Sequence, residues 1–328
     1  MRQALQRAWL RRGPLAWLLL PLSLLYGALG ALHKASALRR RERLPVPVIV
    51  VGNVIAGGAG KTPVVLALLQ HLQECGLPAG VISRGYGRSG GDCAEVQPGD
   101  PPAHVGDEPL LLRRKSGVPV FVARRRAEAG RALLRAYPRT AVIVSDDGLQ
   151  HHALERDIEI CVFDGRGIGN GWLLPAGPLR EAWPREVDLV LTHGEPPGIA
   201  GYAIARKLAR HAVRADGTQR ALAAFQGQHL VALAGIANPE TFFAMLRDAG
   251  VTPAQALALP DHHDFSDSAS LPADATLLCT EKDAVKLWRV RPDAWAVPLQ
   301  VGFPDAFWDR FDRLLEARLS SPHGSPPA

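Results

Sequence analysis

Cysteine is scarce in this sequence, and the few cysteines are widely separated. The four, Cys75, Cys93, Cys161 and Cys279, form no Cys-x-x-Cys pair and lack the density of a secreted disulfide scaffold. A stapled extracellular domain is thereby excluded, and ordinary buried thiols in a reducing compartment are expected. No internal repeat is visible either, which excludes a solenoid or propeller. What remains is a chain of 328 residues, 47% hydrophobic and 21% charged, with the composition of one large or two ordinary globular domains.

The formal charge of +6 suits an anionic partner without choosing between nucleotide, nucleic acid and membrane. The placement of the charges is more selective. Arg2, Arg7, Arg11 and Arg12 precede an uncharged run, and Lys34, Arg39, Arg40, Arg41 and Arg43 follow it. Basic residues gathered around one apolar segment favour a membrane surface over nucleic acid. The run itself, Pro14 to Leu32, is 19 residues long. As a helix it reaches about 28 Å, near the roughly 30 Å of a bilayer's hydrocarbon core. Pro21, Gly27 and Gly30 weaken it, and both flanks are basic, so no orientation follows. The preferred reading is a helix, whole or broken, lying in the interface. A single span, a buried core helix and a cleaved signal ending near Ala35-Ser36-Ala37 are the alternatives.

Beyond the basic stretch, apolar runs alternate with helical patterns. Strands are expected at Val46 to Val51, Gly80 to Ser83, Val118 to Ala123, Ala141 to Ser145, Ile158 to Phe163 and Val187 to Thr192. Helices are expected at Thr62 to Cys75, Pro109 to Lys115 and Arg126 to Ala136, an alternation that implies a parallel sheet covered by helices. After the basic stretch Arg206 to Arg214, a second set follows: strands at Leu230 to Ala234, Ala275 to Cys279 and Ala294 to Val301, with a helix near Pro239 to Ala249. A last helix, Pro304 to Leu319, suits either domain, and the Ser/Pro/Gly-rich tail from Ser320 to Ala328 is expected to fray.

Between the first strand and helix lies Gly52-Asn53-Val54-Ile55-Ala56-Gly57-Gly58-Ala59-Gly60-Lys61-Thr62. Glycines there let backbone N–H groups close around phosphates, Lys61 reaches the outer phosphate oxygens, and the Thr62 hydroxyl suits magnesium. The usual pattern has glycine where Ile55 stands. A glycine-rich turn without ligand is the plainer alternative. Further on, Ala141 to Ser145 runs into Asp146-Asp147-Gly148-Leu149-Gln150-His151-His152, placing two carboxylates at a strand's carboxyl end, the ligand edge of such a sheet. They suit a magnesium ion that neutralises a transferring phosphoryl group, against the plainer Asp-Gly turn. The pairs His151/His152 and His262/His263 lack the spacing of a zinc site.

These motifs, with Ser83-Arg84-Gly85-Tyr86-Gly87, Gly106-Asp107-Glu108-Pro109, Pro175-Ala176-Gly177-Pro178-Leu179-Arg180-Glu181, Gly235-Ile236-Ala237-Asn238-Pro239, Pro260-Asp261-His262-His263-x-Phe265 and Thr280-Glu281-Lys282-Asp283-Ala284-Val285-Lys286, resemble the lipid A 4′-kinase (tetraacyldisaccharide 4′-kinase) family in order and spacing. The resemblance covers most of the chain from Val46 to Lys286. It implies an α/β fold: a P-loop NTPase-like parallel sheet with helices on both faces, a smaller second α/β domain on a two-stranded linker, and an N-terminal membrane-associated helix. The corresponding boundaries are residues 1–44 for the helix, 45–205, a linker at 206–218, 219–303, and 304–328 for the C-terminal helix and tail.

The resemblance further implies transfer of the ATP γ-phosphate to the 4′-hydroxyl of a lipid disaccharide 1-phosphate, at the cytoplasmic face of the bacterial inner membrane. ATP and Mg2+ are the implied cofactors, and neither nucleic acid nor an obligate protein partner is expected. Gly57, Gly58, Ala59, Gly60, Lys61, Thr62 and Gln150 would bind nucleotide, and Thr62, Asp146 and Asp147 the metal. Asp107 would be the general base, assisted by His262, with Lys61 and Arg180 on the phosphates. From the residues alone, Asp107 reads as a helix cap rather than a base, Arg180–Glu181 has a surface ion pair as its plainer alternative, and Arg124, Arg125 and Arg126 are equally a solvated helix start. Arg84 and that arginine triplet are further phosphate candidates. Rival readings are a switch or transport ATPase and a nucleotide-sensing membrane scaffold. Thr280-Glu281-Lys282-Asp283 lacks the spacing of a guanine-specific motif, which disfavours a GTPase.

Overall fold

The computed structural model describes residues 8–265, 271–272 and 274–320, so Arg2, Arg7 and the tail beyond Ser320 lie outside the described residues. The apolar N-terminal stretch is one helix, α1 (Pro14–Arg39), that continues through Pro21. Ala16 and Ser23 are its buried positions. Its docking partner is the segment carrying the Pro-Ala-Gly-Pro motif: Ser23 Oγ donates to Leu173 O at 2.8 Å, Tyr26 Oη donates to Arg180 O at 3.0 Å, and Trp17 meets Trp172 edge-on at 4.8 Å. The opposite face is bare, with Leu18, Leu22, Leu25, Leu29 and Leu32 all more than half exposed. Their spacing of four and three residues makes a single stripe.

Then follow β1 (Val48–Gly52), α2 (Lys61–Glu74), β2 (Ala79–Ser83), β3 (Ala94–Glu95), α3 (Pro102–Val105), α4 (Asp107–Ser116), β4 (Val120–Val122), α5 (Arg126–Ala136), β5 (Val142–Asp146), β6 (Ile158–Phe163), β7 (Leu189–His193) and β8 (Tyr202–Leu208). Strands β8-β7-β6-β1-β5-β2-β4 are parallel neighbours in that order, and β3 closes one edge antiparallel. Strands β1, β2, β5 and β6 are buried at every position, as helices on both faces require, which is why they read as unbroken apolar runs.

The chain then crosses to a second sheet through β9 (His211–Val213), β10 (Gln219–Ala221), β11 (Leu230–Ala234), α6 (Pro239–Asp248), β12 (Gln255–Ala258), β13 (Thr276–Thr280), α7 (Glu281–Leu287) and β14 (Trp295–Val297), in the order β10-β9-β14-β13-β11-β12. Two details depart from expectation. The basic stretch Arg206 to Arg214, for which the residues alone suggested no strand, holds the end of β8 in the first sheet and β9 in the second. The single strand expected at Ala294 to Val301 is divided at Pro298, which has no N–H for a ladder. Its second half, β15 (Leu299–Gly302), pairs antiparallel with β8 and so belongs to the first sheet.

That return carries the last helix, α8 (Asp305–Ser320), onto the first sheet. Phe307, Phe311 and Leu315 enter one core with Leu68, Leu72, Leu110 and Ile49, while α5 covers the other face through Ala127 and Leu133. Each such buried Leu or Phe contributes roughly 1.5–3 kcal/mol relative to exposure. In the second sheet, α6 packs one face through Phe242, Phe243 and Leu246 and α7 the other through Ala284 and Leu287. Helices α4 and α7, one from each half, lie side by side, and Lys115 Nζ meets Glu281 Oε1 at 2.6 Å across them.

Candidate active site

The carboxyl ends of β1, β2, β5 and β7 open into a cavity of about 2150 Å³ whose far wall comes from the second sheet, including Asn238, His262 and Lys282. The glycine loop forms its floor. Gly60 caps α2 with φ 76°, and a Cβ there would lie 2.9 Å from His193 Nε2, so the position needs glycine. Ile55, where the usual pattern has glycine, is buried and bridged to Leu179, with Ala56 N donating to Pro178 O at 2.8 Å. The loop is thus anchored to the Pro-Ala-Gly-Pro segment through Ile55, and Gly57, at φ 100°, makes the turn. Ala59 packs in the core, while Gly57, Gly58, Lys61 and Thr62 face the cavity.

Lys61 Nζ donates to Asn53 Oδ1 at 3.3 Å and pairs with Asp147 Oδ1 at 3.4 Å. Arg180 reaches the same two groups, Asn53 Oδ1 at 2.9 Å and Asp147 Oδ2 at 3.1 Å. Arg180 is therefore not a free surface arginine. Burial raises the Asp147 carboxyl, but Lys61, Arg180 and Arg126 outweigh it and hold the group below its ordinary value. Asp146 is the reverse. It is 1% exposed, neither carboxylate oxygen has a partner among the described residues, and burial with Glu108 and Asp147 nearby pushes it up to about 7. Of the arginine triplet, Arg126 is the buried member, donating to the Asp146 and Asp147 carbonyls at 3.0 and 2.6 Å, while Arg125 pairs with Glu42 at 2.7 Å. Gln150 faces the cavity but donates to Asn53 O at 2.9 Å and Glu181 Oε1 at 2.7 Å, which makes it a brace of the loop.

Asp107 opens α4. The N-cap is Gly106, at φ 95° and pressed on Gly85, and no side chain caps the helix, so Asp107 is not spent on capping. Its Oδ2 instead meets two groups from the second half: His262 Nδ1 at 3.1 Å and Lys286 Nζ at 2.7 Å. Burial would raise this carboxyl, yet His262 and Lys286 together hold it below its ordinary value. The next residue repeats the pattern, with Lys282 Nζ donating to Glu108 Oε1 at 3.0 Å and lying 3.3 Å from His262 Nε2. A His262 ring that donates from Nδ1 and accepts at Nε2 satisfies both contacts.

The glycine loop, the Asp146–Asp147 pair and His262, singled out in the sequence, thus line one cavity, and Asp107 is tied to it through His262. Lys282, Lys286, Glu108 and Asn53 belong with them, although the sequence reading gave them no role. A capping box, Thr280-x-x-Asp283, was the available signal for α7, with Thr280 Oγ1 accepting from Asp283 N at 3.2 Å. Lysines at 282 and 286 then fall on one face. His193 and Arg206 were also missed. They crowd Gly60, and burial, then Arg206, depresses His193 to about 3.

A parallel sheet whose first strand feeds a glycine–lysine–threonine loop and whose fifth ends in paired aspartates defines a P-loop nucleotide-binding α/β protein. The tetraacyldisaccharide-1-P 4′-kinase family model matches residues 15–316. The chain belongs to that family. It is 60% identical over 330 residues to tetraacyldisaccharide 4′-kinase of Acidovorax sp. (strain JS42), covering 98% of this chain and 97% of that one. Against the enzyme of the same description from Polaromonas naphthalenivorans (strain CJ2) it is 56% identical over 342 residues, with 99% of each chain covered. The crystal structure of LpxK from Aquifex aeolicus in complex with ATP aligns with a TM-score of 0.78 at 26% identity, covering 92% of this chain and 99% of that one.

Proposed function

We propose that this protein transfers the γ-phosphate of ATP to the 4′-hydroxyl of a tetraacyldisaccharide 1-phosphate, the lipid A kinase reaction, with Mg2+ as the metal. The observation that carries the reading is the meeting of two sets of groups in one cavity. Lys61 and Asp146 line it from the first sheet's ligand edge and His262 from the second half, and His262 holds Asp107 at 3.1 Å.

Each group has a chemical task. Lys61 and the loop's backbone N–H groups bind the phosphates and favour charge on the outer one. Arg180 and Asn53 fix the Lys61–Asp147 pair, so the ammonium is already placed before nucleotide enters. A buried carboxylate whose two oxygens are unpartnered among the described residues, lining the same cavity as the P-loop threonine, fits a divalent cation: Asp146 and Thr62 would hold Mg2+, with Asp147 supporting. When bound, that ion neutralises charge on the phosphates. Asp107, kept ionised by its neighbours, takes the proton of the sugar hydroxyl, and His262 orients it. Closing the two halves over the cavity would exclude water, the competing acceptor.

Helix α1 supports placement at a membrane, since it is long and apolar enough to cross one and presents an exposed leucine stripe. Its docking along the Trp172–Arg180 segment favours lying in the interface, at the cytoplasmic face of the inner membrane where ATP is available. The test is transfer of labelled γ-phosphate to the lipid in detergent micelles, with and without Mg2+. Label in the lipid only when Mg2+ is present supports the proposal. ATP hydrolysis at the same rate with and without lipid, and no labelled lipid, rejects it in favour of an ATPase.

A further inference from the structure

We propose that Lys286 is a positioning residue for the phosphoryl-transfer base: with His262 it pins Oδ2 of Asp107 and so leaves Oδ1 as the atom that receives the sugar hydroxyl's proton. This rests on Asp107 being the base.

Both contacts to the Asp107 side chain fall on the same oxygen, Lys286 Nζ at 2.7 Å and His262 Nδ1 at 3.1 Å. Among the described residues Oδ1 takes no hydrogen bond, and it is not one of the fully enclosed, unpartnered side-chain oxygens, so it stays open to an approaching group. A carboxylate held by one oxygen between two fixed donors has its second oxygen aimed in a set direction, the geometry that proton transfer in a near-attack complex needs. The Lys286 and Asp107 side chains are each 11% exposed, so the pair is desolvated. Buried pairs of this kind are poor sources of net stability, which argues for a positional task.

The ladder is repeated one turn earlier, Lys282 on Glu108, so α7 presents two ammonium groups to two consecutive carboxylates of α4. The charged and titratable groups around Asp107 are Glu108 on its own helix, Lys282, Asp283 and Lys286 on α7, Asp261 and His262 on the preceding loop, and Tyr86 beside His262. Lys286 is the cation in direct contact. In the reaction the hydroxyl O–H bond breaks with its proton going to Oδ1. The freed oxygen pair forms the bond to the γ-phosphorus, and the bond from that phosphorus to the β–γ bridging oxygen breaks, its electrons leaving with ADP.

The experiment measures kcat, KM and the pH dependence of kcat for the full chain with ATP, Mg2+ and tetraacyldisaccharide 1-phosphate in micelles. Wild type is compared with Lys286→Met, Lys286→Arg and Asp107→Asn. Expected for Lys286→Met is a fall in kcat of roughly 10- to 100-fold with KM for ATP little changed. Its acid limb should move to higher pH by about one unit, because a cation beside the carboxylate has been removed. Lys286→Arg should recover most of kcat. Wild-type kcat and an unmoved acid limb in Lys286→Met, while Asp107→Asn is inactive, overturns the role of Lys286 and leaves the base standing. Wild-type kcat in Asp107→Asn overturns the base and this inference with it. Should Lys286→Met not fold, Lys286→Gln replaces it, and the same two readings decide.

Discussion

Asp146 and Asp147 are adjacent in the chain and opposite in surroundings: Asp147 is held by Lys61 and Arg180, while among the described residues neither oxygen of buried Asp146 has a partner. The reason is local. Asp146 ends β5 in extended backbone, and Asp147 turns at φ 47°, so the two side chains diverge. One carboxylate belongs to the loop's fixed framework, and the other is the one proposed above to hold the cation.

Asp146→Asn is therefore expected to lower transfer by on the order of 100-fold or more, since it removes fixed charge at the developing phosphoryl centre. Without ligands the variant should melt no lower than wild type, because a buried unpartnered carboxylate has been neutralised. Mg2+ with ATP should raise the melting temperature of wild type by more than that of the variant. Differential scanning fluorimetry reads both effects.

Asp107→Asn should reduce kcat by on the order of 10²- to 10⁴-fold, the range of a general base. Its effect on stability has a definite sign with pH. The folded carboxyl lies below its ordinary 3.8, so its contribution is present above 3.8 and lost as pH falls through the lower folded value. The melting-temperature gap between wild type and Asp107→Asn should thus be constant at pH 5–8 and shrink at pH values under 3.8.

Gly60→Ala should destabilise by about 1–3 kcal/mol, since a left-handed φ of 76° must be held by a residue with a Cβ. That Cβ would also press on His193 and Arg206. Weaker ATP binding should accompany the loss, measured by calorimetric titration.

The central strands β1, β2, β5 and β6 of the first sheet were legible in the sequence because they are buried on both faces, and its helices carry apolar stripes. Ile158–Phe163 and Arg126–Ala136 have the expected bounds. Strands β8, β9 and β12 were not legible. Their charged or exposed residues, Arg206 and Lys207 in β8 among them, give no apolar run, and pairing with a distant segment makes them strands. The glycine loop and the two aspartates could be found because chemistry fixes their spacing. His262 was named beside Asp107 only through the family resemblance, and Lys286 was given no role, since it lies 179 residues away and only the packing of α4 on α7 brings it near.

Leu18→Glu combined with Leu25→Glu should weaken binding to anionic phospholipid vesicles, because the stripe they interrupt is exposed. Stability in solution should stay within about 0.5 kcal/mol of wild type, as for other surface substitutions. Co-sedimentation with vesicles and a urea melt separate the two outcomes.

The most direct measurement is the position of the new phosphate. Tetraacyldisaccharide 1-phosphate is incubated with ATP, Mg2+ and either wild type or Lys61→Ala, and the product is examined by 31P–1H correlation spectroscopy. A second phosphomonoester on the 4′ carbon with wild type, and on the order of 100-fold less with Lys61→Ala, is the expected result. Phosphate at any other position, or inorganic phosphate alone, contradicts it.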